Sequence, residues 1–235
     1  MKAVIQAGGR GTRLRPYTFV MPKPLMPVGG LAVIEILLKW LCRNGVTEIY
    51  ITLGYLGHLI RSLCKDGSQW GLNICYSEER EPLGTIGPLR MLEDKLTSTF
   101  LVLNGDLIAD LNLREFEGFH REQGGLVSVA AAEKEIDIDL GVIEDKDRRI
   151  RGFREKPRLR FRVSMGIYCM EPGVIPLIPK GVPFGFDDLI LKMLAEDRAV
   201  YNYFHTGIWM DIGRHEDFVK AQEVFSENGH KILGF

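Results

Sequence analysis

Two aspartates stand where a carboxylate could bind a metal ion. Asp106 follows the apolar run FLVLNG, and Asp211 lies inside the apolar run IWMDIG. A charge among apolar neighbours costs free energy unless it has a partner. Mg²⁺ prefers one or two carboxylates together with phosphate oxygens. Asp106 could instead be a turn aspartate that caps the next segment, so these residues alone leave both a metal site and a structural role open.

A glycine-rich loop near the N-terminus could bind a phosphate. It follows the apolar run KAVIQ and contains Gly8, Gly9 and Gly11. Glycines adopt backbone angles closed to other residues and let an anion approach the main chain, whose free N–H groups can form an anion-binding nest. Such a loop alone also marks an ordinary turn, but here positive charge accumulates beside it, at Arg10, Arg13, Arg15 and Lys23. Two flanking prolines restrict the backbone of Lys23.

The loop does not match the two common phosphate-binding motifs. A Walker loop requires Gly-Lys-Ser/Thr at the start of a helix, whereas this chain reads Gly11-Thr12-Arg13 and soon reaches Pro16. The dinucleotide fingerprint fails on its glycine spacing and on the absence of a helix pattern directly behind the loop. We therefore expect a different kind of nucleotide-binding loop.

The first half of the chain alternates strand and helix patterns. Apolar strand patterns cover residues 2–6, 48–53, 73–77 and 100–106, and helical patterns cover 31–43, 56–67 and the part of 82–96 that follows a glycine-bearing turn. This alternation predicts a doubly wound α/β fold with a sheet covered on both faces. Ligands of such folds bind beyond the carboxyl ends of the strands. The glycine loop, the turn at 79–84 and Asp106 all follow strand ends, so we expect them at one site.

The second half is less regular. Strands are expected at 126–132, 140–144, 161–170, 201–204 and 208–213, and helices at 187–196 and 215–225. Residues 133–139 (EKEIDID) suggest a solvated acidic loop, and residues 145–149 suggest a charged turn. The chain shows no internal repeat, low-complexity tract or clear linker, which predicts a single domain over residues 1–235.

Bulk composition argues against several partners. The formal net charge of −1 gives no electrostatic reason to expect nucleic acid or an anionic membrane. No run approaches the ~18 apolar residues of a membrane span, and no signal peptide precedes the first strand, so we predict a cytoplasmic protein. The four cysteines are widely spaced among apolar neighbours and are predicted to be buried core thiols.

The opening segment resembles the signature of sugar-1-phosphate nucleotidyltransferases, also called nucleotide-sugar pyrophosphorylases. That signature reads GGxGTRLxPxT followed by PKPLxPV, and this chain reads GGRGTRLRPYT and PKPLMPV. The later segments NGD, EKP and WMDIG match further motifs of the family in order. The resemblance implies a Rossmann-like, doubly wound mixed sheet of the nucleotidyltransferase type, without the β-helix extension of larger relatives. It also implies a nucleotide-binding half (1–110) and a sugar-phosphate-binding half (111–235).

The resemblance implies a reaction and a set of site residues. The reaction is the Mg²⁺-dependent transfer of a nucleotidyl group from a nucleoside triphosphate to a sugar 1-phosphate, giving a nucleotide sugar and pyrophosphate. Asp106 and Asp211 would hold Mg²⁺, while Arg13 and Lys23 would neutralise the triphosphate and the departing pyrophosphate. The nucleotide would contact Gln6, Ala7, Gly8, Gly9, Gly11, Thr12, Glu79, Pro82, Gly84 and Thr85. The sugar phosphate would contact Asn104, Gly141, Glu155, Lys156 and Ser164. Ser164 replaces an asparagine common in the family, which leaves the sugar open.

The base is predicted from Glu79. Aligned on Gly84, Glu79 falls where thymidylyl- and uridylyltransferases often carry glutamine. A carboxylate only accepts hydrogen bonds, and guanine offers two adjacent donors, N1–H and the exocyclic amine. The run EREPLGTIGPL also resembles the EPLGTAGPL of mannose- and heptose-1-phosphate guanylyltransferases. GTP is therefore favoured. The alternative is UTP or dTTP, because some short uridylyltransferases also carry a glutamate here.

A non-catalytic subunit that binds a nucleotide sugar in the same fold is the alternative of another class. Degenerate relatives of that kind typically lose the metal-binding acids or the loop arginine, and this chain keeps all of them. The enzyme is therefore the favoured interpretation, with a homo-oligomer as a possible assembly. The sequence leaves the identity of the sugar and the pathway open.

Overall fold

The computed structural model describes residues 1–79 and 81–233, so Arg80 of the predicted turn lies outside the described residues. The described residues form thirteen strands: β1 (Lys2–Ala7), β2 (Pro27–Val28), β3 (Leu31–Ala32), β4 (Glu48–Leu53), β5 (Asn73–Glu78), β6 (Phe100–Asn104), β7 (Leu107–Ala109), β8 (Val127–Asp137), β9 (Val142–Lys146), β10 (Arg149–Arg154), β11 (Arg158–Met170), β12 (Val200–His205) and β13 (Trp209–Asp211).

Helices connect and cover these strands. The α-helices are α1 (Val33–Arg43), α2 (Gly57–Cys64), α3 (Leu113–Gln123), α4 (Phe186–Ala195) and α5 (His215–Leu233). Short 3₁₀ helices lie at Thr12–Leu14, Tyr17–Phe19, Lys23–Leu25, Ser68–Trp70, Gly87–Leu92 and Pro172–Leu177. Among the residues described, no helix combines the length and the apolar character needed to cross a bilayer.

A seven-stranded sheet forms the centre of the molecule, in the order β12-β8-β11-β6-β1-β4-β5. All neighbouring strands pair in parallel except β11, which is antiparallel to both β6 and β8. Three two-stranded sheets accompany it: β2 with β3, β7 with β13, and β9 with β10. The predicted doubly wound mixed α/β fold is confirmed.

Buried residues cover both faces of the central sheet. On one face, Ile5 and Ile51 pack with Leu37 of α1 and Phe116 of α3. On the other face, a second cluster joins strand residues to the 3₁₀ helix Gly87–Leu92 and to α4, with members such as Val4, Val102, Leu89, Leu189 and Met193. Because strand side chains alternate between faces, the continuous apolar runs of β1, β4 and β6 supply both clusters.

The α-helix expected within residues 82–96 is wrong, because the structure has only the 3₁₀ helix Gly87–Leu92 there. The N–H groups of Ile86 and Gly87 both donate to the carbonyl of Phe184, each at 3.0 Å. These two bonds join the start of the 3₁₀ helix to a distant segment of the chain.

The acidic segment 133–139 is also not the loop that its composition suggests. Strand β8 continues to Asp137 and pairs with β11, in the register Arg160↔Glu135 and Arg158↔Asp137. Arg158 Nε lies 2.7 Å from Asp137 Oδ1, and Arg160 Nε lies 2.8 Å from Glu135 Oε1. Opposite charges across neighbouring strands stabilise such pairs, so the two runs form an exposed extension of the sheet.

The sequence did not predict α3 or β10, and other elements differ from expectation mainly in their ends. Helix α5 runs to Leu233, beyond the expected end at residue 225, β12 is two residues longer than expected, and β9 is shifted by two residues. Among the cysteines, Cys64 and Cys169 are buried as predicted, and Cys42 is only half-buried. Cys75 is exposed, which contradicts the prediction of a core thiol, because it lies on β5 at the edge of the sheet.

Candidate active site

A cavity of about 750 Å³ opens beyond the carboxyl ends of β1, β4 and β6. Fourteen of the predicted site residues line it: Gln6, Ala7, Gly8, Gly9, Gly11, Thr12, Arg13, Lys23, Glu79, Pro82, Gly84, Thr85, Asn104 and Asp106. Parallel strands end on the same side of a sheet, and ligands of α/β folds bind there. The structure thus brings the predicted nucleotide-binding residues together around one cavity.

The glycine loop is held by short contacts to its surroundings. Gly11 has a φ of +60°, and its carbonyl accepts hydrogen bonds from Leu14 N (2.9 Å) and from the Oγ1 of buried Thr18 (2.9 Å). A Cβ added at Gly54, just after β4, would lie 2.7 Å from Gly8 O. This close approach therefore needs glycine at position 54, where any side chain would push the glycine loop away.

Gln6 and Glu79 line the cavity and are held by Thr85 and Leu83, respectively. The Gln6 Nε2 group donates to the carbonyl of Thr85. Glu79 Oε2 accepts a 2.8 Å bond from Leu83 N, and Glu79 Oε1 lies 2.7 Å from the position of a Cβ added at Gly8. Burial raises the pKa of Glu79, while the bond from Leu83 opposes that shift. The wall thus presents a carboxylate that would bind an uncharged donor pair or a cation.

The two aspartates meet next to the cavity because their flanking segments pair. Strand β13 is antiparallel to β7, with Asp211 opposite Leu107, and Ile212 N donates to Asp106 O at 3.0 Å. Asp106 itself follows Gly105, whose N–H donates to Gln6 O at 2.9 Å. These backbone bonds fix the two carboxylates relative to the end of β1.

Lys23 forms an ion pair with each aspartate. Its Nζ contacts Asp106 Oδ2 and lies 3.9 Å from Asp211 Oδ1. The side chains of Lys23 and Asp106 are 13% and 15% exposed, so this pair is shielded from solvent far more than a surface pair. A shielded pair of this kind holds its geometry better than a surface ion pair, which contributes little.

Asp211 is partly exposed, at 42% of its side chain, yet its surroundings disfavour its charged form. Desolvation by burial and the negative charge of Asp106 raise its pKa, while the charges of Lys23 and Arg13 oppose the increase. Arg13 also lies close by, since a Cβ added at Gly213 would be 3.1 Å from Asp211 Oδ2 and 3.7 Å from the Arg13 guanidinium. A bound cation would offset the negative charge that Asp106 places beside Asp211.

The predicted sugar-phosphate residues fall into two places. Asn104 lines the cavity, and Ser164 is joined to it through Gly166: Gly166 N donates to Ser164 Oγ at 3.2 Å, and a Cβ added at Gly166 would overlap the Asn104 amide. Gly141, Glu155 and Lys156 instead flank the β9–β10 hairpin and do not line the cavity, and Lys156 Nζ lies 3.3 Å from Asp139 Oδ1. Asp211 is likewise outside the cavity lining, but it is joined to Asp106.

Several cavity residues were not predicted as site residues: Gly54 and Tyr55 belong to no motif, whereas Gly105 and Gly213 lie inside the NGD and WMDIG motifs. Gly54 and Tyr55 follow β4, Gly105 separates β6 from Asp106, and Gly213 follows β13. The rule that ligands bind at the carboxyl ends of parallel strands could have found Gly54 and Tyr55, because the strand pattern at 48–53 was clear. Gly213 needed knowledge of the pairing between β7 and β13.

The chain belongs to the nucleotidyl transferase family, whose profile matches residues 2–228. The sequence-based recognition of this family is confirmed. Among similar proteins, the mannose-1-phosphate guanyltransferase of Saccharomyces cerevisiae is 35% identical over 234 residues, which are 96% of this chain and 64% of that protein. The chain thus spans less than two thirds of the length of this relative.

Solved structures show the same fold. A Bacillus anthracis structure, provisionally named a glucose-1-phosphate thymidylyltransferase and complexed with a sucrose, has a TM-score of 0.77 and 25% identity, covering 95% of this chain and 94% of that one. The HddC structure from Yersinia pseudotuberculosis, complexed with GMP-PN, has a TM-score of 0.74 and 25% identity, covering 95% of this chain and 99% of that one.

Proposed function

We propose that the protein transfers a nucleotidyl group from a nucleoside triphosphate, with GTP favoured, to a sugar 1-phosphate, giving a nucleotide sugar and pyrophosphate. The observation that carries this proposal is the meeting of Asp106, Asp211 and Lys23 beside a fixed glycine loop and a large cavity. Relatives named guanyltransferases and a related structure complexed with GMP-PN support it. The roles of the individual site residues are part of the proposal.

The proposed chemistry is a direct displacement. An oxygen of the sugar 1-phosphate attacks the α-phosphorus in line, a new P–O bond forms, and the bond to the departing pyrophosphate breaks. The attacking phosphate is already ionised, so no protein nucleophile is needed. The work of the protein is then positioning and charge stabilisation. The glycine loop would cradle the triphosphate through its N–H groups.

Different charged residues would bind the triphosphate and the phosphate of the sugar substrate. Arg13 and Lys23 would neutralise the triphosphate and hold the pyrophosphate as it leaves, because both lie at the cavity. Lys156 would bind the phosphate of the sugar substrate, with Glu155 and Gly141 at the sugar. In this assignment the β9–β10 hairpin faces the sugar phosphate when the substrate is bound.

The two aspartates fit a bound Mg²⁺. No group of three or more possible ligands from His, Cys, Asp and Glu occurs within residues 1–79 and 81–233. Mg²⁺ needs only one or two carboxylates when phosphates and water supply its other ligands. The raised pKa of Asp211 beside Asp106 is also what a dication would relieve. When bound there, Mg²⁺ would serve as a template and Lewis acid for the phosphate oxygens.

The base selectivity follows from Glu79. Its carboxylate lies at the cavity, and it keeps acceptor capacity beyond its single bond from Leu83. Guanine presents N1–H and the exocyclic amine side by side, which suits a carboxylate, whereas uracil places one donor between two carbonyls. The mannose in the names of the relatives makes mannose 1-phosphate a first candidate for the sugar.

The test is pyrophosphate release with Mg²⁺. Each of GTP, UTP, dTTP, CTP and ATP is assayed against a panel of hexose and heptose 1-phosphates that includes mannose 1-phosphate, with an EDTA-treated sample as the metal-free control. Turnover with GTP supports the proposal in full. Turnover with UTP or dTTP alone keeps the reaction and overturns the base assignment. No release, together with tight binding of a nucleotide sugar, would indicate a binding subunit instead.

A further inference from the structure

Gln6 carries an unexplained buried acceptor at the wall of the cavity. Its Nε2 group donates to the carbonyl of Thr85, but its Oε1 is buried and has no hydrogen-bond partner within the described part of the chain. Reversing the amide would point its oxygen at the Thr85 oxygen, so the contact fixes the orientation of the amide. Buried polar atoms nearly always have a partner. A ligand in the cavity is the natural partner for this one.

Gln6 lines the same cavity as the carboxylate of Glu79. Gln6 is the next-to-last residue of β1, Gly8 directly follows the strand, and both line the cavity. The position of a Cβ at Gly8 is 2.7 Å from Glu79 Oε1. Thr85 and Leu83, which hold Gln6 and Glu79 respectively, belong to one loop. Two acceptors, one charged and one neutral, are therefore fixed on the same wall.

Guanine has three N–H hydrogens at N1 and the exocyclic amine, and the carboxylate of Glu79 would accept only two of them. Its exocyclic amine at C2 carries two hydrogens, and Glu79 would accept N1–H and the nearer of these two. The other hydrogen points toward the sugar side of the base and needs a separate acceptor. Uracil and thymine carry a carbonyl oxygen at this position, which would face the Gln6 oxygen unfavourably.

We propose that Gln6 is a specificity-determining residue for guanine, because its Oε1 accepts the second hydrogen of the exocyclic amine. This inference rests on the proposed function, in which GTP is the nucleotide substrate. Glu79 and Gln6 would then each accept one hydrogen of the exocyclic amine. A site built to hydrogen-bond a substrate group rejects an analogue that lacks the group.

The test compares GTP with inosine triphosphate, which differs only in lacking the amine. The kcat/KM of both nucleotides is measured for the wild type and for Gln6→Met, which keeps the volume but removes the amide. We expect the variant to lose about tenfold more on GTP than on inosine triphosphate, the scale of one buried hydrogen bond. Gln69→Leu is the matched control, because exposed Gln69 also donates to a backbone carbonyl, that of Leu63 at 3.0 Å.

Each result has a distinct meaning. An equal loss on both nucleotides would show that Gln6 only supports the loop through Thr85, which overturns the inference while the proposed function stands. Wild-type turnover with UTP or dTTP but not GTP would overturn the base assignment and the inference together. If Gln6→Met does not fold, the wild type is assayed with N2-methyl-GTP, in which one amine hydrogen is replaced. Turnover equal to that with GTP would overturn the inference, and poor turnover supports it.

Discussion

Ile212 donates its backbone N–H to the carbonyl of Asp106 at 3.0 Å, and this bond ties together the two acidic segments of the site. The β7–β13 pair continues the connection and sets Asp211 opposite Leu107. Lys23 then bridges both carboxylates with its ammonium group. The backbone thus holds two negative carboxylates close together, and the Lys23 ammonium balances their charge. In a complex, a divalent ion would balance them instead, while Lys23 binds phosphate.

Replacing either aspartate with asparagine is expected to abolish most of the activity. Asp106→Asn and Asp211→Asn should each lower kcat by roughly 100-fold or more, the scale on which loss of one charge-stabilising group acts. The fold should persist, because asparagine keeps the size and the backbone bonds stay. Pyrophosphate release and circular dichroism check both parts. Asp94→Asn, at an exposed position, is the control. A near-normal rate in either site variant would remove that residue from the metal site.

Gly54→Ala tests the rigid approach between β4 and the glycine loop. The added Cβ would lie 2.7 Å from Gly8 O and 3.0 Å from Gly8 Cα, so the loop backbone must shift. Overpacking of this kind costs about 1–3 kcal/mol, and we expect the KM for the nucleotide to rise by about tenfold. Steady-state kinetics and urea unfolding measure the two effects.

Gly118→Ala provides the matched control for that substitution. Gly118 lies within α3, and a Cβ added there meets no atom within 4 Å. Alanine favours a helix over glycine by about 1 kcal/mol, so this variant should be as stable as the wild type or more so, with unchanged kinetics. A normal nucleotide KM in Gly54→Ala would mean that the loop position does not govern binding.

Glu79→Gln is expected to change the choice of base. The amide can both donate and accept, which suits uracil or thymine, so the ratio of kcat/KM for GTP to that for UTP or dTTP should fall. The same nucleotide panel used on the wild type provides the measurement. A ratio equal to that of the wild type would show that Glu79 does not contact the base.

Glu79→Gln is also expected to change the stability of the protein. Burial raises the pKa of Glu79 in the folded protein above its ordinary value of 4.5. At a pH between 4.5 and the raised pKa of folded Glu79, the folded state binds more protons than the unfolded state. The free energy of unfolding therefore falls as pH rises through this range. Glu79→Gln removes the effect. The variant should therefore gain stability relative to the wild type between pH 4 and pH 8, measured as the difference in urea midpoints.

The sequence predicts those site residues that directly follow a strand pattern. Gly8, Glu79 and Asp106 each follow an apolar run, and the rule for parallel sheets places all three at one edge. Family motifs were needed to connect Asp211, because its contact with Asp106 depends on the β7–β13 register. The contact of Ile86 and Gly87 with the carbonyl of distant Phe184 likewise depends on tertiary structure that no local pattern shows.

A buried polar network between α3 and β8 is expected to make stability depend on pH. His120 of α3 is 1% exposed, and its Nδ1 lies 2.8 Å from Ser128 Oγ. Its Nε2 is 3.3 Å from Glu171 Oε1 but has no hydrogen-bond partner among residues 1–79 and 81–233. Desolvation lowers the pKa of His120, the charges of Glu171 and Glu117 oppose this shift, and Arg121 adds to it.

The sign of the pH effect follows from that lowered pKa. Below the ordinary value of 6.5 the unfolded state takes up a proton that folded His120 resists, so stability is complete above that pH and falls as pH drops toward the folded pKa. His120→Gln keeps polar atoms for Ser128 but cannot titrate. Its urea midpoint should fall less than that of the wild type between pH 7.5 and pH 5.5, whereas His58→Gln, at an exposed position, should follow the wild type. Identical slopes for His120→Gln and the wild type would show that Glu171 offsets the burial of His120.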